Sequence, residues 1–356
     1  MKQADGIACR AQSAYFVVVF CCFFIAAAVA AAKSASNSLL VLNGYTMGTV
    51  YRVLLHTSSL ASPESRQLVE TAINNRLHSL DKDIFSTHEP TSELSVLNRT
   101  PVGKALQISA DLAHVIEFAR VVHDKSAGAF DVSIKPLVDL WGFGGADTTR
   151  EIPSQAMLEQ ALAQIDMSAV QVAGKGEHYS VTRHREVTID LSALAKGYAV
   201  DQLALLLESL GQENYLVEVG GEVVSKGLSP DGSYWRIGIE RPVQNQQQLF
   251  QQITGSSAKV AIASSGSYQN YFLIDGLRYS HAIDPATGWP VTHNLVSVTV
   301  VDSSAMAADA WATAFLILGT EEGMELANAL QLPVFFIVDD KTGFSGLPSD
   351  AFKRYR

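Results

Sequence analysis

Two clusters of polar residues interrupt apolar segments of this sequence at spacings that suit chemistry. In the first, Ile189 to Asp201, an apolar strand is predicted to end at Asp190 and a helix to begin within six residues, with Lys196 at the junction. A helix N-terminus presents unpaired backbone N–H groups and the positive end of the helix dipole, and a lysine adds a full charge. The junction therefore predicts an anion site, with phosphate favoured. The alternative is an ordinary turn in which Asp190 caps the helix and Lys196 is solvated.

The second cluster lies on a predicted helix that Ser303 or Ser304 caps. Asp309 and Thr313 are four residues apart, so both side chains project from one face of an otherwise apolar helix. A carboxylate and a hydroxyl are hard oxygen ligands that suit Mg²⁺, an ion that binds through few protein groups and shares its octahedron with phosphate oxygens and water. The alternative is that Asp309 accepts from a backbone N–H and Thr313 bonds back to its own helix.

Further side chains with useful chemistry lie in predicted loops. His281 precedes a turn marked by Asp284 and Pro285, although an Asp-Pro pair alone is only turn chemistry. His88 lies in a polar loop, where a lone histidine is usually solvated. The aromatic and glycine-rich loop 141–145 suits contact with a flat ring, and the alternative is that its aromatic side chains fill the core.

The elements that position these residues follow from hydrophobic periodicity. Helices are predicted over 63–80 with Ser62 as the cap, and over 111–126, 153–165 and 197–210. Strands are predicted as a hairpin over 39–55, a meander over 170–189, and single strands at 215–224, 235–240, 259–264, 268–274 and 296–301. The segment after Gly128 is predicted to be extended as far as Pro136. Helices mixed with returning strands predict an α+β fold of mixed or antiparallel sheets with packed helices.

Composition describes a globular protein without a nucleic-acid partner. The 356 residues are 47% hydrophobic and 17% charged, enough for a substantial core. The formal net charge is −10, and no run of Lys or Arg stands out. Because binding to nucleic acid requires a basic surface that neutralises phosphates, nucleic acid is excluded as a partner. Residues 37–356 are predicted to form the functional domain.

Residues 1–36 are predicted to be a signal peptide or a membrane anchor. Lys2 and Arg10 precede 19 apolar residues, from Ala14 to Ala32, and the small residues at the end of this run provide a cleavage site. An uncleaved anchor stays open, because about 20 apolar residues span a bilayer. All three cysteines lie in this segment, so cleavage leaves a protein without thiols or disulfides. The predicted location is the periplasm or the periplasmic face of the inner membrane.

Nine motifs, in order, resemble those of the FAD:protein FMN transferases, the ApbE flavin transferase family. They run from MGTxY at Met47 through STxxPxSELSxLN, GAFDV, LWGFG, IDLSALAKGYAVD, EVGGEV, WRIGIERP and HAIDPATG to AMAADAWATA, which ends at Ala314. The resemblance covers nearly the whole chain after the predicted N-terminal segment. It implies the flavin transferase fold of that family.

The resemblance also implies sites for FAD and for Mg²⁺. The FAD contacts that it implies are Met47, His88, Ala129, Phe130, Asp131, Asp190, Lys196 and the backbone near Ile283. The Mg²⁺ ligands that it implies are the side chains of Asp309 and Thr313 and the main-chain carbonyl of Ala193. Two positions differ from the usual family pattern: an aromatic residue is frequent at the position of His88, and Gly-Gly is frequent at Ser192-Ala193.

The implied reaction transfers FMN from FAD to a Thr or Ser hydroxyl of a target protein and releases AMP. Attack on a diphosphate depends on positioning and on neutralising charge, for which Mg²⁺ and Lys196 are suited. His281, a residue type that titrates near neutral pH, is the predicted base for the acceptor hydroxyl. Two alternatives stay open: a Mg²⁺-dependent FAD pyrophosphatase, in which water replaces the acceptor, and a secreted flavin-binding protein without turnover.

Overall fold

The structure, a computed structural model, describes residues 39–56, 62–144, 150–243, 248–268, 270–340 and 342–355. The predicted signal or anchor segment, residues 1–36, and Gly145 of the aromatic loop lie outside the described residues. In the described ranges, no helix combines the length and the apolar character needed to cross a membrane.

An eight-stranded antiparallel sheet forms the centre of the fold, and three smaller sheets accompany it. The strands of the described residues are β1 (Leu39–Thr46), β2 (Thr49–His56), β3 (Leu106–Ile108), β4 (Val170–Lys175), β5 (His178–Arg183), β6 (Tyr215–Val219), β7 (Glu222–Lys226), β8 (Arg236–Glu240), β9 (Leu249–Thr254), β10 (Val260–Gly266), β11 (Tyr271–Ile274), β12 (Leu277–Ser280), β13 (Leu295–Asp302), β14 (Val334–Asp339) and β15 (Phe344–Pro348). The order in the central sheet is β1-β2-β6-β7-β10-β13-β14-β15. β11 pairs with β12, β8 pairs with β9, and β5 lies between β3 and β4.

Helices pack against the central sheet and against the smaller sheets. Within the described residues they are α1 (Pro63–His78), α2 (Glu93–Arg99), α3 (Ala110–Lys125), α4 (Lys135–Leu140), α5 (Gln155–Leu162), α6 (Ser192–Ser209), α7 (Ala305–Leu318) and α8 (Thr320–Ala329). A π-helical segment, Ser79–Phe85, extends α1, and 3-10 turns lie at Met167–Ala169 and Ala351–Tyr355. The predicted cap Ser62 is confirmed, since its Oγ accepts from the N–H of Ser65. The predicted α+β fold with antiparallel sheets and packed helices is also confirmed.

Both faces of the central sheet are covered. Successive side chains of a strand point to opposite faces, so Val217 and Val219 of β6 join the larger core, to which α6 and α7 contribute. On the other face, Leu216 joins a second core with Ile237 of β8 and Ile253 of β9. β6 is therefore buried along its whole length, and its polar residues need partners within the protein.

Two tight turns lie side by side at one end of the sheet. β1 and β2 are joined through Met47 (φ 48°) and Gly48 (φ 72°), and β6 and β7 through Gly220 (φ 65°) and Gly221 (φ 108°). Positive φ at both central residues is typical of two-residue hairpin turns, because it matches the twist of the strands. The N–H of Gly220 donates to the carbonyl of Val50 at 3.0 Å, so the two turns are neighbours.

Helices α6 and α7 approach each other closely at Gly197. A Cβ atom at residue 197 would lie 2.3 Å from the carbonyl oxygen of Ala305, so only glycine fits. α6 also holds the N-terminus of α7, because the carboxylate of Asp201 accepts from the N–H groups of Ala305 and Met306 and from the hydroxyl of Ser304. A carboxylate at this place satisfies unpaired N–H groups and interacts favourably with the helix dipole.

Some predicted elements differ from the structure. The helix predicted over 197–210 begins at Ser192, so Lys196 lies within the helix and not in the turn before it. The prediction that the segment after Gly128 is extended as far as Pro136 was wrong, because α4 begins at Lys135. A proline in the first helical turn removes no intrahelical hydrogen bond, which is why the sequence tolerates a helix there. The helix predicted over 153–165 is present as the shorter α5.

We expect Gly197→Ala to destabilise the fold, although alanine favours helices. The gain in helix propensity is about 1 kcal/mol, whereas overpacking costs about 1–3 kcal/mol or more when the obstacle is rigid backbone. Urea unfolding should therefore show a lower midpoint for the variant. Gly323→Ala in α8 is the matched control and should lower the midpoint less, because its nearest neighbour would be a ring carbon of Phe336 at 3.0 Å and not a backbone oxygen at 2.3 Å. Equal midpoints for Gly197→Ala and the wild type would contradict the close contact.

Candidate active site

The side chain of Lys196 crosses the glycine turn between β6 and β7. A Cβ atom at residue 220 would lie 3.2 Å from Cδ of Lys196 and 2.8 Å from Cγ2 of Thr49, so glycine is needed beneath the lysine. The Nζ atom lies 2.9 Å from Oε1 of Glu222 and 3.7 Å from Oδ2 of Asp309. α6, β7 and α7 thus each contribute one charged group. We name Lys196, Glu222 and Asp309 the charged cluster.

Burial dominates the electrostatics of the charged cluster. Burial, reinforced by the neighbouring Glu222 and opposed by Lys196, raises the pKa of Asp309 to about 8. Burial also raises the pKa of Glu222, against the attraction of Lys196. Burial disfavours the ammonium form of Lys196, but the two carboxylates outweigh this effect and raise its pKa. Two carboxylates therefore share one ammonium.

Asp309 and Thr313 meet oxygen and nitrogen atoms from other elements. Oδ2 of Asp309 accepts from the N–H of Gly197 at 3.1 Å. In a regular α-helix this N–H would donate to the carbonyl of Ala193, four residues earlier in the chain. One turn further along α7, Oγ1 of Thr313 lies 3.1 Å from Oγ of Ser265 near the end of β10. Asp309 therefore does accept from a backbone N–H, but across two helices, and this N–H belongs to the residue four positions after Ala193.

This set of oxygen atoms fits a hard divalent cation. In the part of the chain that the structure describes, no cluster of three or more His, Cys, Asp or Glu side chains has the arrangement of a metal site. A site at Asp309 would instead combine one carboxylate, one hydroxyl and one carbonyl, which leaves coordination positions for ligand oxygens and water. Burial raises the pKa of Asp309, and a bound cation would favour its ionised form. The residues present therefore fit Mg²⁺.

His281 follows β12 and has one ring nitrogen already committed. Its backbone N–H donates to the carbonyl of Asn270 at 3.0 Å, and its Nδ1 lies 3.1 Å from the same oxygen. Since a carbonyl only accepts, Nδ1 carries the proton and Nε2 keeps its lone pair. The side chain has an exposed edge, but partial desolvation by the surrounding protein lowers the pKa of His281, the charge of Lys196 lowers it further, and the Asn270 carbonyl opposes both effects. The imidazole is neutral at neutral pH and can accept a proton at Nε2.

The aromatic loop packs against the segment that carries His281. Trp141 is fully buried, and its Nε1 donates to the carbonyl of Gly288 at 2.7 Å. It therefore fills the core and does not offer a face to a flat ligand. Phe143 lies next to His281, with ring centroids 6.3 Å apart, and next to Phe272 at 5.3 Å. The loop thus fixes the orientation of the histidine.

Several predicted FAD contacts turn their side chains into the protein. Phe130 and Ile283 are each 2% exposed, so it is their backbone that can meet a ligand. The carboxylate of Asp131 accepts from the N–H of Ser133 at 2.7 Å and from its hydroxyl at 2.6 Å, which stabilises the turn. Ala129 is half-buried beside it. As ligand contacts these four residues remain predictions.

Asp190, Met47 and His88 lie at turns. The N–H of Asp190 donates to the carbonyl of Val132 at 2.7 Å, which brings the IDLSALAKGYAVD and GAFDV motifs together. The carboxylate of Asp190 accepts from the N–H of Ser192 at 2.9 Å, at the start of α6. Met47 is half-buried in the turn between β1 and β2, and His88 is exposed. Their contacts with FAD likewise remain predictions.

The sequence did not single out Glu222 or Ser265, which the structure places at the site. Glu222 follows the Gly-Gly turn of the EVGGEV motif, and an acid at the start of a buried strand is a signal that could have been recognised. Ser265 belongs to a run of small polar residues after a strand, and nothing in that run distinguishes it.

Comparison with known proteins assigns the family. Residues 47–336 match the ApbE family. The chain belongs to the ApbE family. A protein named FAD:protein FMN transferase from Vibrio cholerae is 39% identical over 315 residues, which are 88% of this chain and 92% of the relative. A protein of the same name from Salmonella typhimurium is 36% identical over 326 residues, 90% of either chain. The family resemblance of the nine motifs is thereby confirmed.

Solved structures show the same fold. The flavin transferase ApbE from Vibrio cholerae superimposes with a TM-score of 0.81 at 36% identity, covering 89% of this chain and 99% of that chain. The apo form of the flavinyl transferase ApbE from Pseudomonas stutzeri gives a TM-score of 0.79 at 32% identity, covering 89% of this chain and 96% of that chain. The ApbE-like fold predicted from the motifs is confirmed.

A third buried carboxylate lies on the opposite face of β6 from the charged cluster. Glu218 is 2% exposed, and neither carboxylate oxygen has a hydrogen-bond partner among the described residues. Burial raises its pKa to about 7, Arg52 on β2 opposes this shift, and Glu222 and Glu240 reinforce it. Because the folded state keeps this proton to higher pH than the unfolded state, ionising Glu218 lowers the stability as the pH rises towards 7.

Glu218→Gln should therefore stabilise the protein at alkaline pH more than at acid pH. The amide cannot ionise, so the stability difference from the wild type should grow by up to about 3 kcal/mol between about pH 5 and about pH 8. Thermal unfolding across this range measures the difference. Glu177→Gln, which changes an exposed carboxylate in the described region, is the control and should show no such trend. If the stability difference between Glu218→Gln and the wild type does not change with pH, Glu218 is already ionised in the folded protein at low pH.

Proposed function

We propose that the protein transfers FMN from FAD to a Thr or Ser hydroxyl of a target protein, with Mg²⁺ as the metal and AMP as the second product. The observation that carries this proposal is the charged cluster together with His281, which feels the charge of Lys196, in a chain that matches proteins of this name over most of its length. A diphosphate requires positive charge and a metal ligand at one place, and the site provides both. A flavin carrier without turnover has no need of a buried carboxylate such as Asp309.

The transfer exchanges one P–O bond for another. The acceptor oxygen attacks the phosphorus on the FMN side of the diphosphate, and the bond between that phosphorus and the bridging oxygen breaks. The bridging oxygen leaves as part of AMP. Nε2 of His281 takes the proton of the acceptor hydroxyl as the new bond forms. The products are an FMN phosphoester on the acceptor and AMP.

The charged cluster can neutralise the negative charge that develops on the diphosphate in this step. Asp309, Thr313 and the carbonyl of Ala193 would hold Mg²⁺, whose chemistry when bound is to polarise the diphosphate oxygens. Lys196 contributes an ammonium that offsets negative charge on the leaving group. We propose that FAD also contacts the residues that the family resemblance implies: Met47, His88, Ala129, Phe130, Asp131, Asp190 and the backbone near Ile283.

We further propose that the protein acts in the periplasm, either free or anchored in the inner membrane. The apolar segment near the N-terminus supports this location, and so does the lack of cysteine after Cys22. Cell fractionation tests it. Full-length protein that is soluble in the cytoplasmic fraction would contradict the proposal.

The reaction can be tested by analysing its products. Incubation with FAD, Mg²⁺ and a peptide that carries an acceptor threonine should give an FMN-labelled peptide and AMP in mass spectra. Asp309→Ala removes the anionic ligand and should suppress the reaction by orders of magnitude, whereas Thr313→Ala removes a neutral ligand and should be milder. Free FMN with an unlabelled peptide would identify a pyrophosphatase, and unchanged FAD a carrier protein. Either outcome contradicts the proposal.

His281→Ala should slow the transfer and leave FAD binding nearly unchanged. A general base contributes about 10²–10⁴-fold, so the rate should fall by about that factor. Because the neutral imidazole is the active form and its pKa is lowered, the wild-type rate should fall only as the pH drops below about 6.5, and the variant should lose this dependence. His184→Ala changes another exposed histidine and serves as the control. A large loss of FAD affinity with an unaltered pH profile would instead assign His281 a structural role.

A further inference from the structure

We propose that Glu222 is a positioning residue that holds the ammonium of Lys196 away from Asp309 and so keeps Asp309 open to a divalent cation. This inference rests on the metal site proposed at Asp309. It assigns the second acidic residue of the EVGGEV motif a role towards the metal without direct contact with the ion.

Lys196 lies between two carboxylates and is hydrogen-bonded to one of them. Its Nζ lies 2.9 Å from Glu222, which is a hydrogen-bond distance, and 3.7 Å from Asp309, which is too long for one. The stem of the lysine rests on the glycine turn, with no room for a side chain at Gly220. The ammonium is therefore drawn towards β7, yet a small rotation of its flexible stem would bring it to Asp309.

Glu222 is firmly placed for this role. It is the first residue of β7, directly after the turn, and it is 4% exposed. Its Oε1 accepts from Lys196, and its Oε2 has no hydrogen-bond partner among the described residues. The ammonium of Lys196 thus compensates the burial of this carboxylate. Glu222→Gln removes this side-chain ion pair and the charge that Glu222 exerts on Asp309, so a second substitution at Lys196 is needed to isolate the effect on the lysine.

Removal of the negative charge of Glu222 would leave Asp309 as the neighbouring carboxylate for the ammonium. Opposite charges attract strongly where water is largely excluded, so Lys196 would move to Asp309 and occupy the ligand that the metal needs. An incoming Mg²⁺ would also meet an uncompensated ammonium. Both effects act through Lys196, whereas the simple loss of a nearby negative charge acts on the ion directly. Removing Lys196 separates these two causes.

Calorimetric titration of Mg²⁺ into the full-length protein without FAD tests this inference in a double-mutant cycle. We expect Glu222→Gln to weaken Mg²⁺ binding by about tenfold or more, and Glu222→Asp, which keeps the charge, to weaken it less. Lys196→Met in the wild-type background should tighten binding slightly. In the Glu222→Gln background, the same change should restore the affinity to within about threefold of the wild type.

Equal effects of Lys196→Met in the two backgrounds would overturn the inference, because Glu222 would then act on the ion only through its charge. Failure of the wild type to bind Mg²⁺ would instead contradict the metal site of the proposed function, so the two failures are distinguishable. If Glu222→Gln does not fold, the cycle built on Glu222→Asp should show a smaller coupling of the same sign, and additivity there would overturn the inference as well.

Glu218→Gln provides the matched control. Glu218 is a buried carboxylate of the same hairpin, but its side chain lies on the opposite face of the sheet from Lys196. At about pH 8, where Glu218 is ionised, its substitution should weaken Mg²⁺ binding less than Glu222→Gln does and should show no coupling to Lys196→Met. A coupling as large as that of Glu222→Gln would show that any nearby negative charge suffices, which contradicts a specific role for Glu222.

Discussion

The site depends on the close contact between α6 and α7 at Gly197. Because this residue has no side chain, the backbone of α6 comes near enough for its N–H to donate to Asp309 at 3.1 Å. The same approach allows Asp201 to bind the first N–H groups of α7. One helix thus carries the ammonium and a carbonyl, the other carries the carboxylate and the hydroxyl, and a single backbone contact fixes the spacing between them.

The charges at this end of the sheet are costly for the fold. Burial raises the pKa values of Asp309, Glu222 and Glu218, and Lys196 is the ammonium that the first two share. A protein under selection for stability alone would replace such residues with apolar ones, since desolvation often exceeds the attraction within a buried ion pair. Perturbed carboxylates of this kind are typical of functional sites. In the proposed reaction, Asp309 would help to hold a divalent cation, which would supply positive charge for the diphosphate.

The sequence predicted those parts of the site that depend on local spacing. Asp309 and Thr313 share a helix face because they are one turn apart, and the cap of α7 at Ser304 follows the usual residue preference. The start of α6 was placed too late because Leu191 and Ser192 give no clear capping signal. The sequence analysis did not identify Glu222 and Ser265 as site residues, because their roles come from contacts with residues 26 and 48 positions away in the chain. The inward direction of the Asp131 carboxylate could not be predicted either, since it depends on how the turn at Ser133 folds.

The proposed function requires a divalent cation site that includes Asp309 at the contact between α6 and α7. Crystals grown with FAD and Mn²⁺, a hard cation that can replace Mg²⁺, would test it through anomalous scattering. We expect an anomalous peak about 2.0–2.3 Å from a carboxylate oxygen of Asp309, next to Thr313 and the carbonyl of Ala193. A peak elsewhere in the protein, or none beside Asp309 in crystals that contain bound FAD, would contradict it.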